Sequence, residues 1–145
     1  MLIDDDEVSS YIFSKLITIS NFAKQIRTFD NGNEALEYLR KHSDEEDQLP
    51  EIIFLDLLLI DMDGWEFLKQ FEMLDKPVRD KIHLVILTTS FYEKDKIKAG
   101  QYSSVKKFIQ KPITTEHLME ILEDLKKKIN VPVSLISYFT CDRLS

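Results

Sequence analysis

Two strongly apolar runs stand out along the chain, Ile52–Leu55, which ends at Asp56, and Leu84–Leu87, which ends at Thr88. Both are short, rich in large aliphatic and β-branched residues, and show no alternation with polar residues. That pattern suits strands buried on both faces, as in a parallel sheet covered by helices. Leu2–Ile3, Gln25–Phe29 and Lys107–Ile109 are shorter strand candidates. Helical spacing fills the stretches between them. Val8 to about Ile19 places Ile12, Leu16 and Ile19 on one stripe. Asn33–Lys41 carries Ala35, Leu36 and Leu39 after the turn Asp30-Asn31-Gly32, and Trp65–Leu74 carries Phe67, Leu68 and Phe71. A weaker pattern covers Tyr92–Ala99. Thr114 and Thr115 cap a last helix with Leu118, Ile121, Leu122 and Leu125, which ends in Lys126-Lys127-Lys128, cations that suit a helix C-terminus. Strand and helix alternate five times, which predicts an α/β domain with right-handed crossovers and a parallel sheet.

Both ends depart from the pattern. Only Met1-Leu2-Ile3 precedes an acidic cluster, short for a strand of about five residues. Residues Val131–Ser145 are fairly apolar without a clear period and too few for an output domain. The division expected is a domain over 1–129 and a tail over 130–145. The first strand's neighbourhood is open to cover by Val131–Phe139 or by a partner chain.

Composition removes several function classes. Lys plus Arg is 19 against 26 Asp plus Glu, a formal net charge of −7, which disfavours a nucleic-acid or anionic-membrane surface. The three glycines, Gly32, Gly64 and Gly100, are too far apart for a dinucleotide loop or a P-loop. The single Cys141 excludes an intrachain disulfide and a multi-cysteine zinc site, and His42, His83 and His117 are too dispersed for a local pair of metal-binding histidines. No run reaches the roughly 18 apolar residues of a membrane span, and the N-terminus is acidic where a signal peptide is basic. A soluble domain of a reducing compartment is expected, with chemistry resting on carboxylates, hydroxyls and lysines. The acidic run Ser43–Asp47 reads as a solvated loop.

Ligands of an open α/β sheet collect beyond the C-terminal strand ends. Those ends carry Asp4-Asp5-Asp6, Asp56, Thr88-Thr89-Ser90 and Gln110-Lys111-Pro112. Adjacent strands one, three, four and five would bring three carboxylates, a hydroxyl and an ammonium to one edge. Two carboxylates about 5 Å apart repel by roughly 3 kcal/mol at an effective dielectric near 20, so such a cluster takes up protons or a cation. An all-oxygen site with room for water suits Mg²⁺, and a lysine and threonine beside it suit a phosphoryl group with Asp as nucleophile. Each element also has a plainer reading: Asp6 and Glu7 as helix caps, Thr88 as an ordinary strand-end residue, Asp61-Met62-Asp63-Gly64 as a turn rather than a calcium loop, and Trp65 and Met62 as packing.

Taken together, Leu2-Ile3-Asp4-Asp5-Asp6-Glu7, Ile53-Phe54-Leu55-Asp56, Asp61-Met62-Asp63-Gly64, Leu87-Thr88-Thr89-Ser90 and Phe108-Ile109-Gln110-Lys111-Pro112 resemble the receiver domain of response regulators, the CheY-like family of two-component signalling, over about residues 1–129. The resemblance implies a doubly wound, flavodoxin-like fold with five parallel strands in the order 2-1-3-4-5 and helices on both faces. It implies that Asp56 accepts a phosphoryl group from a sensor histidine kinase or phosphotransfer protein, with Mg²⁺ held by Asp5, by Asp4 through water, by Asp56 and by the Leu58 carbonyl. Lys111 would pair with the acceptor and then with the phosphoryl oxygens, while Thr88 would bond the phosphoryl group and let Phe108 turn toward the core. A cis bond before Pro112 is also implied. A cytoplasmic, bacterial signalling protein follows, with a downstream protein partner, possible homodimerisation, no direct nucleic acid or membrane partner, and at most self-phosphorylation and self-dephosphorylation as activity.

The chain also departs from that family. Ile60 stands where a proline is usual, which predicts a more mobile loop, and Leu58, two beyond the acceptor, cannot orient an attacking water. An extra residue lies between Thr88 and Lys111, so Thr89 competes with Thr88 for the switch role, with Thr88 favoured because it follows the apolar strand directly. Two other functions remain in competition: a pseudo-receiver that only binds, and an aspartate-nucleophile phosphohydrolase of the haloacid-dehalogenase type, which the sequence Asp56-Leu57-Leu58 disfavours for want of a second Asp.

Overall fold

The computed structural model describes residues 1–129, so the expected tail over 130–145 lies outside the described residues. Five strands, β1 (Leu2–Ile3), β2 (Thr28–Phe29), β3 (Ile52–Leu55), β4 (His83–Thr88) and β5 (Val105–Gln110), form one sheet. The order is β2-β1-β3-β4-β5 and every pairing is parallel, the doubly wound arrangement expected. Helices α1 (Glu7–Ile19), α2 (Gly32–Lys41), α3 (Gly64–Glu72), α5 (Glu93–Ala99) and α6 (Thr115–Ile129) fall where the pattern places them. One more, α4 (Lys76–Lys81), has no counterpart in the sequence reading.

The unbroken apolar runs have a direct explanation. Side chains of a strand alternate between faces, and here both faces are covered. Ile3, Ile53, Leu55, Leu84 and Ile86 join a core with α2, α3, Val78 and Ala99. Leu2, Phe54, Val85, Leu87 and Ile109 join a second core on the other face with Phe13 and Ile17 of α1 and Leu118 and Ile121 of α6. The predicted inner faces of α2, α3 and α6 are the observed ones. The α1 stripe is not: Phe13 and Ile17 are buried, whereas Ile12 and Ile19 are exposed. That helix is apolar on more than one side, and the edge-on packing of Phe13 against Phe54, 4.8 Å between centroids, selects the buried stripe.

The short first strand is well paired. The backbone N–H groups of Leu2 and Asp4 donate to Arg27 and Phe29, and its carbonyls at Met1 and Ile3 accept from Phe54 and Asp56. β1 therefore sits between two neighbours from Met1 to Asp4. The helix α4 is held by polar contacts, since Arg79 donates to the Leu74 carbonyl at 2.8 Å and to Glu72 at 2.9 Å.

At the other end of the sheet the β4–β5 register shifts. Leu84 pairs with Val105 but Val85 with Lys107, leaving Lys106 as the odd residue; beyond it the ladder runs regularly to Thr88 beside Gln110. The irregularity lies well before the strand ends, so the ladder beside Thr88 is regular.

Behind the β3 end, Gly64 lies against backbone. A Cβ there would stand 2.6 Å from Leu57 Cα and 2.8 Å from the Asp56 carbonyl oxygen. Backbone cannot swing aside as a flexible side chain can, so Gly64→Ala should destabilise the domain by about 1–3 kcal/mol in urea unfolding. An unchanged midpoint would show that the α3 start is not confined in this way.

Candidate functional site

Parallel strands with short crossovers deliver their C-terminal ends to one edge, and the adjacent order of β1, β3, β4 and β5 brings the predicted residues there. Asp4 and Asp56, following β1 and β3, are both buried. Lys111, just past β5, spans them: its Nζ donates to Asp4 Oδ2 at 2.6 Å and to Asp56 Oδ2 at 2.8 Å. Burial of the lysine works to push its pKa down. The hydrogen bonds to and charges of Asp4 and Asp56 outweigh that and raise it above the ordinary lysine value. The second oxygen of Asp56 accepts from the Leu58 N–H at 3.1 Å. Asp4 also accepts from the Asp6 N–H and the Ser9 hydroxyl, both at 2.9 Å.

Asp5 is not bridged by Lys111; its Oδ2 accepts from the Ile60 N–H at 2.7 Å. A proline at position 60 has no such donor. Together with Asp61, whose carboxylate accepts from Gly32 N–H at 3.1 Å, this bond ties the loop after β3 to the N-terminal ends of two elements. The greater mobility expected from the missing proline is thus opposed by two anchors. The loop's remaining acid, Asp63, caps α3 by accepting from Trp65 N–H at 3.0 Å, and Met62 is buried, so Asp61–Gly64 is a turn that caps two helices. Asp6 likewise caps α1, accepting from Ser9 N–H at 2.9 Å.

Thr88 is wholly buried at the β4 end, its hydroxyl accepting from Ser90 N–H at 3.2 Å and its carbonyl from Lys111 N–H at 2.8 Å. Thr89 is exposed. The register places Thr88, not Thr89, beside the lysine. Phe108 is half-buried on β5 against the core shared by α2 and α3, two residues along from the site. The Lys111–Pro112 bond is cis, as expected.

The sequence reading missed two contributors. Ser9, one turn into α1, faces back onto Asp4; its signal is only its place in the first turn of the helix that follows the acidic cluster. The backbone N–H of Ile60 carries no side-chain signal at all.

Among the described residues no group of three or more His, Cys, Asp or Glu side chains is gathered closely enough to hold a metal. The donors nevertheless fit a hard divalent cation in kind: carboxylates of Asp4, Asp5 and Asp56 and the carbonyl of Leu58 are all oxygens. Three carboxylates against one ammonium leave two formal negative charges, the charge that one divalent cation balances. The same edge carries an apolar rim, with Leu58 60% and Ile60 94% exposed and Phe91 beside Tyr92 in a stacked pair. Among the described residues no helix is long and apolar enough to cross a membrane.

Comparison with known proteins converges on this geometry. The family model for the response regulator receiver domain matches residues 1–123. A probable methanogenesis regulatory protein, FilR2, from Methanothrix harundinacea is 30% identical over 127 residues, covering 88% of this chain and 80% of that protein. The crystal structure of a two-component response regulator from Cytophaga hutchinsonii superposes with a TM-score of 0.81 at 25% identity, covering 87% of this chain and 94% of the other. The Mn²⁺-bound form of the response regulator Rcp1 superposes with a TM-score of 0.64 at 25% identity, over 86% and 88% of the two chains.

Removal of the bridging ammonium leaves two buried carboxylates facing each other. Lys111→Met should therefore cost about 3 kcal/mol of stability at neutral pH. In the unsubstituted chain the sign at the alkaline end follows from the raised pKa. The lysine's contribution is complete below its ordinary value of 10.5 and is lost as pH rises through the higher folded value. Urea melts across pH check both, and a variant as stable as the parent at pH 7 would remove the bridge from the account.

Proposed function

The chain belongs to the response-regulator receiver family, and from that premise we propose that it is a phosphorylation-switched signalling domain whose acceptor is Asp56. The observation that carries the reading is the Lys111 ammonium held between Asp56 and Asp4 at the edge where the strands end. It orients one oxygen of the acceptor, and it stands where phosphoryl charge arrives.

The step is a transfer between two groups. An Asp56 carboxylate oxygen forms a bond to phosphorus, the phosphorus–nitrogen bond of a kinase phosphohistidine breaks, and the electron pair leaves with the imidazole. A divalent cation, Mg²⁺ in this reading, would be held by Asp5, Asp4, Asp56 and the Leu58 carbonyl and would offset the repulsion between carboxylates and phosphoryl oxygens. Use of a divalent cation is supported by the Mn²⁺-bound form of the similar regulator Rcp1. Lys111 then exchanges one carboxylate oxygen for a phosphoryl oxygen. The Thr88 hydroxyl gives up its contact with Ser90 N–H to bond the phosphoryl group, and the space it vacates admits Phe108. The altered face around β4, α5 and β5 is what a downstream protein reads.

Leu58 and Ile60 bear on lifetime. Neither side chain can orient a water toward the acyl phosphate, and both are exposed at the mouth of the site. The aspartyl phosphate should persist for minutes or longer.

Incubation with Mg²⁺ and a small phosphodonor should give a single phosphoryl adduct by intact mass, absent without the metal and absent in Asp56→Asn. Continued release of phosphate over many turnovers would favour a hydrolase, and no adduct in the unsubstituted chain would favour a binding-only pseudo-receiver. Decay of the adduct within seconds would overturn the lifetime argument while leaving the acceptor in place.

A further inference from the structure

At the opposite end of the sheet from Asp56, where β4 begins, a groove of about 520 Å³ opens between α4, α6 and the loop before β5. Its most buried wall is His83, 5% exposed, whose Nε2 has no hydrogen-bond partner. Around it stand Lys106, the residue that the register shift leaves without a ladder partner, and Lys128 from the end of α6. We propose that this groove is a second site, separate from the phosphoacceptor, which binds a phosphate-type oxyanion between Lys106, Lys128 and His83.

The argument rests on how the charges are spent. Two carboxylates also line the groove, yet each is committed elsewhere: Asp80 to Lys76, and Asp124 to Lys107 at 3.1 Å. The lysines are not matched in the same way. Lys106 donates to the Ser103 carbonyl at 2.9 Å and Lys128 to the Asp80 carbonyl, neutral acceptors that an anion can replace. Among the described residues neither lysine forms an ion pair, and Arg79 is taken by Glu72. The result is a concave surface with positive charge left over beside a buried imidazole that lacks a partner. Burial pushes His83 below its ordinary pKa. Asp124 opposes that shift, and Lys128, Lys106 and Lys107 reinforce it, which reports the same positive field. An oxyanion placed here accepts from both ammonium groups, and its charge offsets the repulsion that the lysines impose on the buried His83 imidazole. Both α4 and the odd residue of β5 contribute to the groove.

The test is a titration of the full 145-residue chain with inorganic phosphate, followed by NMR, at constant ionic strength, without divalent metal and with chloride as the control. Saturable shifts are expected at His83, Ser103–Lys106 and Lys128, together with a rise in the His83 pKa that chloride does not produce. Lys106→Ala and Lys128→Ala should each weaken binding by about tenfold, while Lys24→Ala leaves it unchanged. A parallel titration with a simple phosphate monoester separates free from esterified phosphate, and the tighter of the two names the source. Shifts that grow linearly without saturation, that match those in chloride, or that survive in the Lys106→Ala/Lys128→Ala double variant would overturn the site. Because Asp56 takes no part in these readouts, they stand or fall independently of its phosphorylation.

Discussion

One ammonium group holds the working edge of this domain together. Lys111 reaches back from the end of β5 to carboxylates that follow β1 and β3, residues separated from it by 107 and 55 positions in the chain. Without that charge, Asp4 and Asp56 face each other in a buried setting where repulsion is strong and hydration is gone. With it, each keeps one oxygen on the lysine and spends the other on backbone N–H groups, of Asp6 and Leu58. The pair is satisfied yet still electron-rich, and the residual negative charge at the edge invites a cation. The contact that neutralises the buried pair is therefore also the one that positions the candidate acceptor at the strand ends.

Everything that delivers Lys111 to this place lies in the sheet. The ladder between β4 and β5 fixes Thr88 beside Gln110, and the Lys111 N–H closes it on the Thr88 carbonyl. The irregularity at Lys106 comes before this regular stretch, and α4 lies before β4 begins. Both features lie at the ends of the strands remote from Asp56. A residue added in the last turns of the ladder would have rotated every later side chain to the other face and carried Lys111 out of the site.

The sheet was legible in the sequence because burial on both faces writes itself as unbroken apolar runs, and Ile52–Leu55 and Leu84–Leu87 are that signature. The site was legible because those runs stop at charged or hydroxyl residues. What escaped has a physical reason in each case. The helix α4 reads Lys-Pro-Val-Arg-Asp-Lys, with Val78 its one buried side chain, so it carries no apolar stripe and is held by Arg79 instead. The inner face of α1 was misplaced by one residue because Ile12 and Ile19 are as apolar as Phe13 and Ile17, and only the ring of Phe54 decides between them. The outer strands were misjudged in length, β2 too long and β5 too short, because edge strands carry exposed polar residues that a hydrophobic pattern cannot count.

The loop after β3 shows how backbone hydrogen bonds can oppose the loss of a proline. A proline at position 60 would stiffen the chain by fixing φ, and reading Ile60 as its loss leads to a floppier loop. The backbone offers another way to the same end. Ile60 keeps its N–H, and that donor takes an oxygen of Asp5, while Asp61 takes the N–H of Gly32 at the start of α2. The constraint that proline supplies through its ring has a counterpart here in two hydrogen bonds, one to Asp5 and one to the start of α2. The substitution also changes chemistry, since one of those bonds engages a carboxylate from the acidic cluster. Proline would leave that oxygen open to solvent or cation; isoleucine aims it. The loop and the acidic cluster are thus joined directly, Asp5 to Ile60, beside the exposed side chains of Leu58 and Ile60.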